Sequence, residues 1–501
     1  MGQLLFQKEL IMKAEQDSFG KRYGLIISVL VLLGIILMPT PEGLTVAGQR
    51  MIAMLIFSII IWMTEAVSYP ISAAIILAIM VFLLGTSPDV ANPKTVMGTS
   101  KGLSLALGGF SNPATALVGG ALFIAAAMMQ TGLDKRIALS ILSKIGTKTN
   151  RILIGVIFVG FVLSFFIPST TARVACLVPI VMGIILALNV DKKSKFAGVL
   201  MIATAQADSI WNVGIKTAAA QNMVAVGFID KLLNKQITWL EWFIAAAPFA
   251  VIMSVVLYYV LMKVMPPDTE EIPGSRETIA KALADLGPMK LNEKKLFAVS
   301  LTLLFFWSTE MILHNFDTAS TTLAAVAIML MPVVGVMTWK EAQAKIPWGT
   351  LMLFGIGISL GSALLSTKAA AWLAKMIVAW FGIQTMPALI MLAVLAAFLI
   401  IIHLGFASAT ALASAMIPIV ISVLQEVKMV GLSVWGMTMI LQFVVSFGFI
   451  LPVNAPQNMV AYSTETFEVK DFMRTGIPLT IIAYLVILLL GATYWKWLGY
   501  L

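Results

Sequence analysis

Apolar stretches long enough to span a bilayer recur along almost the whole of this chain, and they constrain its fold more than any other feature. A spanning helix needs about 20 apolar residues. In lipid only helices and closed barrels pair every backbone group, and barrel strands would alternate apolar with polar residues, which these stretches do not. Because 60% of the 501 residues are apolar and only 11% are charged, the sequence predicts an all-α integral membrane protein.

The apolar pattern also predicts where individual helices lie and where they are interrupted. The predicted spans are 24–39, 47–67, 70–86, 105–130, 151–190, 197–228, 239–265, 295–315, 320–337, 347–367, 370–382, 386–427, 430–462 and 476–497. Four of them are predicted to be broken: 105–130, 197–228, 347–367 and 430–462. The spans 151–190 and 386–427 are each predicted to hold two pieces.

The charged residues indicate membrane orientation rather than a nucleic-acid partner. The net charge is +9, but the basic residues lie mainly in loops, as in cytoplasmic loops of membrane proteins. The single cysteine, Cys176, and two histidines predict neither a disulfide framework nor a structural zinc site. No small-residue cleavage site follows the first apolar run, which favours a retained helix over a removed signal peptide.

One long polar insertion divides the chain near its middle. Residues 266–294 contain several proline and glycine pairs and four basic residues, Arg276, Lys281, Lys290 and Lys294. The Lys and Arg residues of this segment and of the N-terminus predict that both lie in the cytoplasm. A local amphipathic helix would be another account of the charge. The predicted organisation is an N-terminal segment with the first helix (1–46), a first repeat (47–265), this linker (266–294) and a second repeat (295–501).

Three short motifs occur twice, in the same order and at nearly constant separation. The paired segments are Trp62–Glu65 with Trp307–Glu310, Pro168–Ala172 with Ala407–Ala411, and Gln221–Ala225 with Gln457–Ala461. The last pair is identical, Gln-Asn-Met-Val-Ala. Internal repeats are typical of secondary transporters. With five spans per half and re-entrant pieces between them, the second half is predicted to be inverted relative to the first.

The second motif predicts a pair of helical hairpin tips inside the membrane. Ser169, Thr170 and Thr171 interrupt an apolar run just after a proline, and the partner segment contains Ser408 and Thr410. A tip of this kind exposes free N–H groups and the positive end of a helix, which suits a carboxylate. Small hydroxyl residues can also serve only to pack helices closely. Their occurrence at matching repeat positions favours the binding interpretation.

The third motif predicts two unwound segments beside the tips. Asn222 and Asn458 lie at its second position, after Thr217–Ala220 in one half and Pro452–Pro456 in the other. Amides and carbonyls in such segments would face a cavity. The alternative is that both asparagines only bond the interior.

Three candidate cations lie near these motifs. They are Arg173, Lys216 and His403. A charge inside a membrane costs about 2.5–3.5 kcal/mol or more and usually marks function. As alternatives, Lys216 could pair with Asp208, Arg173 could extend to the interface, and His403 could be a satisfied core residue.

The sequence offers little support for an enzyme. Gly357–Gly361 matches the hydrolase pattern G-x-S-x-G, but that motif needs a strand-turn-helix context and this segment is predicted to be membrane helix or hairpin. No metalloprotease, Walker A or dinucleotide-binding motif is present, so no cofactor and no metal are predicted. Glu65 and Glu310 are interpreted as structural anchors outside the site.

The tip motifs are similar to those of the divalent anion:sodium symporter family of di- and tricarboxylate carriers. Paired Ser-Asn-Thr tips, each followed by alanine and later by proline, typify that family. Because Arg173 follows the first tip, the chain most resembles the exchanger branch, which includes bacterial citrate/succinate antiporters and plastid 2-oxoglutarate/malate translocators. The resemblance extends over nearly the whole chain, from about Ile52 onward.

The resemblance implies a homodimer with about eleven membrane helices per protomer, embedded in membrane lipid. Each protomer would hold a scaffold domain and a transport domain that moves like an elevator. Carried over by position, the carboxylate clamps would be Ser169, Thr170, Thr171, Ser408, Ala409 and Thr410. Asn222 and Asn458 would lie in the unwound segments beside them.

This chain departs from the family pattern at the middle residue of each tip. Thr170 and Ala409 stand where the symporters have asparagines that help to hold sodium. Arg173, Lys216 and His403 could supply positive charge in its place. The predicted function is therefore sodium-independent exchange of C4/C5 dicarboxylates such as malate, 2-oxoglutarate, succinate or fumarate. The alternatives are a sodium- or proton-coupled symporter of the same family and, more remotely, an intramembrane hydrolase or an anion channel.

Overall fold

The computed structural model describes residues 19–187, 190–271 and 274–501, and it confirms the predicted all-α fold. Its residues form helices joined by loops, and no strand occurs within these ranges. Seven of the described helices are long and apolar enough to cross a membrane. Residues 1–18 of the predicted N-terminal segment (1–46) lie outside the described ranges.

Helices before the linker follow the predicted spans closely. In chain order they are α1 (Phe19–Leu37), α2 (Val46–Thr64), α3 (Tyr69–Gly85), α4 (Thr99–Leu107), α5 (Pro113–Thr131), α6 (Leu133–Leu142), α7 (Thr149–Phe166), α8 (Thr170–Ala187), α9 (Lys195–Gly214), α10 (Ala220–Leu233) and α11 (Trp239–Val264). The predicted break in 105–130 lies between α4 and α5, and the two pieces of 151–190 are α7 and α8.

The linker and the second half contain the remaining helices. They are α12 (Ser275–Ala284), α13 (Leu291–Thr309), α14 (Thr318–Leu330), α15 (Trp339–Lys345), α16 (Trp348–Ser366), α17 (Ala369–Phe381), α18 (Ala388–His403), α19 (Ala409–Val427), α20 (Val434–Val445), α21 (Pro456–Tyr462), α22 (Val469–Ala492) and α23 (Tyr494–Trp497). The linker thus contains a helix, as its alternative interpretation proposed. The short helices α6 and α15 were not predicted.

One predicted break is wrong, and its glycines explain why. The span 347–367 forms the continuous helix α16. Glycines in this helix serve close packing instead of a break: a Cβ at Gly357 would lie 2.2 Å from the Ser414 hydroxyl of α19. The serine of the hydrolase-like pattern, Ser359, is fully buried. Its hydroxyl accepts from Gly109 N at 2.9 Å and donates to Gly355 O at 3.1 Å, so it bonds only backbone.

The chain forms two compact units, and each contains residues from both sides of the linker. The first unit holds the chain up to Asn112, Trp348–Thr385 and Gly405–Met429. The second holds Pro113–Pro347, Met386–Leu404 and Val430–Leu501. The predicted division into residues 47–265 and 295–501 describes the sequence repeat and does not coincide with these units.

Within the second unit, α9 and α10 are joined by one turn of 3₁₀ helix, Lys216–Ala218, and α20 and α21 by another at Pro452–Asn454. These turns are the predicted interruptions of 197–228 and 430–462. The linker is held to α6 by Arg136, whose guanidinium pairs with Glu293 at 3.1 Å and donates to Gly287 O at 3.0 Å.

The unwound chain before Pro452 packs against a glycine of α22. A Cβ placed at Gly476 would lie 1.9 Å from the carbonyl oxygen of Phe449. We therefore expect Gly476→Ala to lower the unfolding temperature of the detergent-purified protein, because overpacking costs about 1–3 kcal/mol. Gly183→Ala is the control, since a Cβ at this helical glycine meets nothing within 4 Å. Equal unfolding temperatures for the two variants would contradict this close contact.

Candidate functional site

The first tip is the short loop between α7 and α8. Ile167 has extended backbone angles, φ −118° and ψ 99°, as expected before a proline. The Ser169 hydroxyl accepts from Ala172 N at 3.4 Å, a long contact at the start of α8. Thr170 is buried, and its hydroxyl donates to Asn212 Oδ1 at 2.5 Å. Thr171 is exposed, and no hydrogen bond of its hydroxyl is found among the described residues.

The second tip precedes α19 and repeats this arrangement. Ser408 has extended backbone angles, and its hydroxyl accepts from Ala411 N at 3.3 Å. Ala409 has no hydroxyl, so the bond that Thr170 makes has no counterpart here. Thr410 is 8% exposed, and its hydroxyl bonds to none of the described residues. These three residues belong to the first compact unit, whereas Ser169, Thr170 and Thr171 belong to the second.

Asn222 and Asn458 play equivalent parts in the two unwound segments. Asn222 Nδ2 donates to Asn212 O at 2.6 Å, and Asn458 Nδ2 donates to Gly448 O at 2.7 Å. In both cases the acceptor lies ten residues earlier: Asn212 is in the last turn of α9, and Gly448 is three residues after the end of α20. Both side chains are fully buried, and the two Oδ1 atoms have no hydrogen-bond partner in the described part of the chain. Buried acceptors without partners are rare in folded proteins.

Each of the two identical Gln-Asn-Met-Val-Ala motifs also forms a hydrogen bond with the other half of the chain. Gln221 Nε2 donates to Ser446 Oγ at 3.3 Å, and Gln457 Nε2 donates to Ser209 Oγ at 3.1 Å. All four residues belong to the second unit. Reciprocal contacts of this kind are expected where two copies of one element are related by a pseudo-two-fold axis. The glutamines were not among the predicted site residues, although the repeat marked them.

Arg173 is fully buried and has a carboxylate partner. Its Nε lies 2.6 Å from Asp208 Oδ1. Its Nη1 donates to Ile167 O at 2.7 Å and to Ala218 O at 3.0 Å, and its Nη2 donates to Asn212 Oδ1 at 2.8 Å. The guanidinium therefore joins the tip, α9 and the first 3₁₀ turn. Neither sequence alternative is observed: Arg173 does not extend to the interface, and Asp208 pairs with it rather than with Lys216.

In the second half, the side-chain amide of Asn454 forms hydrogen bonds that correspond to those of Arg173. Asn454 lies in the second 3₁₀ turn, at the repeat position of Ala218. Its Nδ2 donates to His403 O at 3.0 Å and Leu404 O at 3.3 Å, the end of α18. His403 is buried, and its Nε2 lies 3.3 Å from Asn454 O. In each half, a side-chain donor thus connects the unwound turn to the end of the helix that precedes the tip.

Lys216 lies apart from Arg173 and near a different carboxylate. Its Nζ donates to Ile237 O at 2.6 Å and to Thr318 Oγ1 at 3.3 Å. The Thr318 hydroxyl donates in turn to Glu310 Oε2 at 2.7 Å. Glu310 also accepts from Trp239 N at 3.3 Å. The carboxylate of Glu310 therefore joins three chain segments, which agrees with its interpretation as a structural anchor.

Sequence reasoning missed three residues of this network: Asp208 as the partner of Arg173, Asn212 and Asn454. Asp208 was recognisable as an acid in an apolar span, but its partner lies 35 residues away and no periodicity pairs them. Among the described residues no group of three metal-binding side chains occurs.

Breaking the buried ion pair should destabilise the protein unless both partners are removed. Arg173→Met and Asp208→Leu each leave an uncompensated charge, which costs about 3–5 kcal/mol. We expect the double variant to cost clearly less than the sum of the two single variants, as measured by unfolding of the purified protein. Strict additivity would contradict the pairing. Lys101→Met, which breaks the exposed pair with Asp89, is the control and should have little effect.

Comparison with known proteins places this geometry in a transporter family. A family model described as the sodium:sulfate symporter transmembrane region matches residues 20–501. A membrane protein of Cupriavidus necator is 57% identical, over 95% of this chain and 93% of that protein. The inner membrane protein YbhI of Escherichia coli is 29% identical (95% of this chain, 97% of YbhI). The sodium-dependent dicarboxylate transporter SdcS of Staphylococcus saprophyticus is 27% identical (95% of this chain, 92% of SdcS).

A solved structure is similar at the level of the fold. The crystal structure of the Alcanivorax borkumensis YdaH transporter matches with a TM-score of 0.54 and 15% identity, covering 86% of this chain and 97% of that one. The family match spans the tips, the unwound segments and the linker alike. The chain therefore belongs to the sodium:sulfate symporter family, which confirms the predicted resemblance to the divalent anion:sodium symporters.

Proposed function

We propose that this protein exchanges C4/C5 dicarboxylates, such as malate, 2-oxoglutarate, succinate or fumarate, across the cytoplasmic membrane without sodium. The observation that carries the proposal is the pair of helix N-termini, α8 and α19, that begin at equivalent repeat positions beside Ser169 and Ser408. The name of the relative SdcS, a sodium-dependent dicarboxylate transporter, supports the substrate class. The protein would act as a homodimer by an elevator movement, with its N-terminus in the cytoplasm.

Each tip offers donors to one carboxylate of the substrate. The first-turn N–H groups of a helix have no intrahelical acceptor, and they carry the positive end of the helix dipole. The Thr171 and Thr410 hydroxyls make no other hydrogen bond among the described residues, so they are available as further donors. The presence of two such tips in the chain supports a substrate with two carboxylates.

The surroundings of Arg173 support sodium independence. Its guanidinium contacts Asp208 Oδ1, Asn212 Oδ1 and the carbonyls of Ile167 and Ala218. Oxygen atoms are the usual ligands of hard cations, and here the guanidinium of Arg173 already forms hydrogen bonds with them. Thr170, which replaces the family's asparagine, donates to the same Asn212 oxygen. The oxygen atoms next to the first tip therefore already accept hydrogen bonds from the protein, which supports a site that does not bind sodium.

Exchange follows from the lack of a cation that can leave. Asp208 balances the charge of Arg173, so this charge does not hold back the empty carrier. We propose that this carrier returns only with a second dicarboxylate bound, whereas a symporter resets by releasing its sodium.

A cation-coupled symporter is the second candidate, and one observation favours it. The Oδ1 atoms of Asn222 and Asn458 are buried acceptors without a partner in the described part of the chain. Two such oxygens at equivalent positions could help to hold a cation. An anion channel and an intramembrane hydrolase have no comparable support, since Ser359 bonds only backbone.

Removing the tip hydroxyls should impair transport without unfolding the protein. We expect Thr171→Ala and Thr410→Ala each to lower kcat/KM for dicarboxylate uptake about ten- to hundredfold, because a hydrogen bond to a charged group contributes about 1.5–3 kcal/mol. Thr171→Ser and Thr410→Ser keep the hydroxyl and are the matched controls. Wild-type transport by both alanine variants, at unchanged unfolding temperature, would disprove the clamp assignment.

The mode of transport is decided by efflux of labelled malate or 2-oxoglutarate from sodium-free proteoliposomes. We expect rapid efflux only when unlabelled dicarboxylate is present outside, and no stimulation by sodium. Equal efflux with and without external dicarboxylate would exclude exchange. Efflux that requires sodium would instead support the symporter, and an ohmic current would indicate a channel.

A further inference from the structure

A groove lined by two basic and several apolar residues lies beside the start of α7. The cavity has a volume of about 510 Å³ and lies between the end of α6, the turn after it and α7. Lys144 and Arg151 line it together with Ile154 and Phe158. It belongs to the second compact unit and is separate from the tips and the unwound segments.

The two cations of this groove are uncommitted. Neither Lys144 nor Arg151 makes an ion pair or a side-chain hydrogen bond with any described residue, and both are exposed. A Cβ at Gly146 would lie 3.1 Å from Arg151 Nη1, so the guanidinium rests against the turn where this glycine leaves room for it. The carboxylate of Glu271 accepts from the Thr147 hydroxyl and does not line the groove.

Apolar side chains continue the groove along the outer face of α7. Ile154 is 50% exposed and Phe158 is 48% exposed. Arg151, Ile154 and Phe158 follow each other at spacings of three and four residues, which places them on one face of the helix. A cationic end followed by an apolar track on a membrane helix has the polarity of a phospholipid, with its headgroup at the interface and its chains in the hydrocarbon layer.

The groove lies at the end of α7 that the linker borders. Thr149 N donates to Glu270 O at 3.0 Å, so the start of this helix is paired with linker backbone. The linker contains four Lys and Arg residues, and because membrane orientation follows Lys and Arg rather than net charge, they predict that this end faces the cytoplasm. The cytoplasmic leaflet carries anionic lipids, and basic pockets between membrane helices on this side bind their headgroups.

We propose that this groove binds one anionic phospholipid. Lys144 and Arg151 hold its phosphate, and an acyl chain lies along Ile154 and Phe158. The chemistry recognised is a phosphate ester of net negative charge joined to an apolar chain. A zwitterionic lipid differs in the cationic headgroup that cancels its phosphate charge, and a free phosphate differs in having no apolar chain. The site is independent of the proposed exchange activity, because none of its residues belongs to the tips or their support.

The test is native mass spectrometry of the full-length protein, delipidated and then incubated with phosphatidylglycerol or phosphatidylcholine. We expect retention of about one phosphatidylglycerol per protomer and little phosphatidylcholine. Lys144→Gln/Arg151→Gln should weaken phosphatidylglycerol binding roughly thirtyfold, at about a factor of five per basic side chain. Lys340→Gln/Lys375→Gln is the control, since it removes the same net charge outside the groove and should bind as the wild type does.

Several outcomes would overturn the proposal. Equal retention of the two lipids, or unchanged phosphatidylglycerol binding by the groove variant, would show that the groove does not select an anionic lipid. If inorganic phosphate at the lipid's concentration displaced the bound lipid, the groove would be a phosphate site. If Phe158→Ser bound phosphatidylglycerol as the wild type does, the proposed contact between an acyl chain and Phe158 would be wrong. Unfolding temperatures of all variants establish that they are folded.

Discussion

Backbone groups inside a membrane have no water to bond with, and this constraint governs how the helices of this protein can be interrupted. Each unsatisfied group costs several kcal/mol, so an unwound turn persists only where side chains or other backbone supply its partners. Asn222 and Asn458 do this in similar ways: Asn222 donates to a carbonyl in the last turn of α9, and Asn458 donates to the carbonyl of Gly448 in the unwound chain after α20. The two breaks therefore depend on these amides.

The two halves use different side chains to bond their unwound turns to the preceding helix. In the first half the guanidinium of Arg173 links the unwound turn to Ile167, which follows α7, and in the second half the amide of Asn454 links the unwound turn to the end of α18. The guanidinium adds a charge, and a buried charge needs a partner, so the first half also requires Asp208. One asymmetry between the halves is therefore this substituted donor and the acid that balances it; another is the Thr170 hydroxyl, which Ala409 lacks.

Much of the fold followed from the sequence because lipid leaves few alternatives. The breaks in 197–228 and 430–462 were predicted from repeated polar residues in apolar spans, and the structure has a 3₁₀ turn in each. Side-chain partners were not predictable, since α8 and α9 bring Arg173 to Asp208 only in the folded state. The break expected in 347–367 failed for a related reason: glycine permits both bending and close packing, and only the neighbour, here Ser414, decides between them.

In the proposed exchange mechanism, the buried ion pair bears on the net charge of the site that crosses the membrane. A net charge that crosses a low-dielectric barrier is costly, but Arg173 with Asp208 adds no net charge to the first half. The positive character at the tips then comes from helix ends and hydroxyl donors, each of which is much weaker than a full charge. A site of this kind can hold a carboxylate and still release it. Replacement of one dicarboxylate by another leaves the charge of the loaded site unchanged, which is the condition that exchange requires.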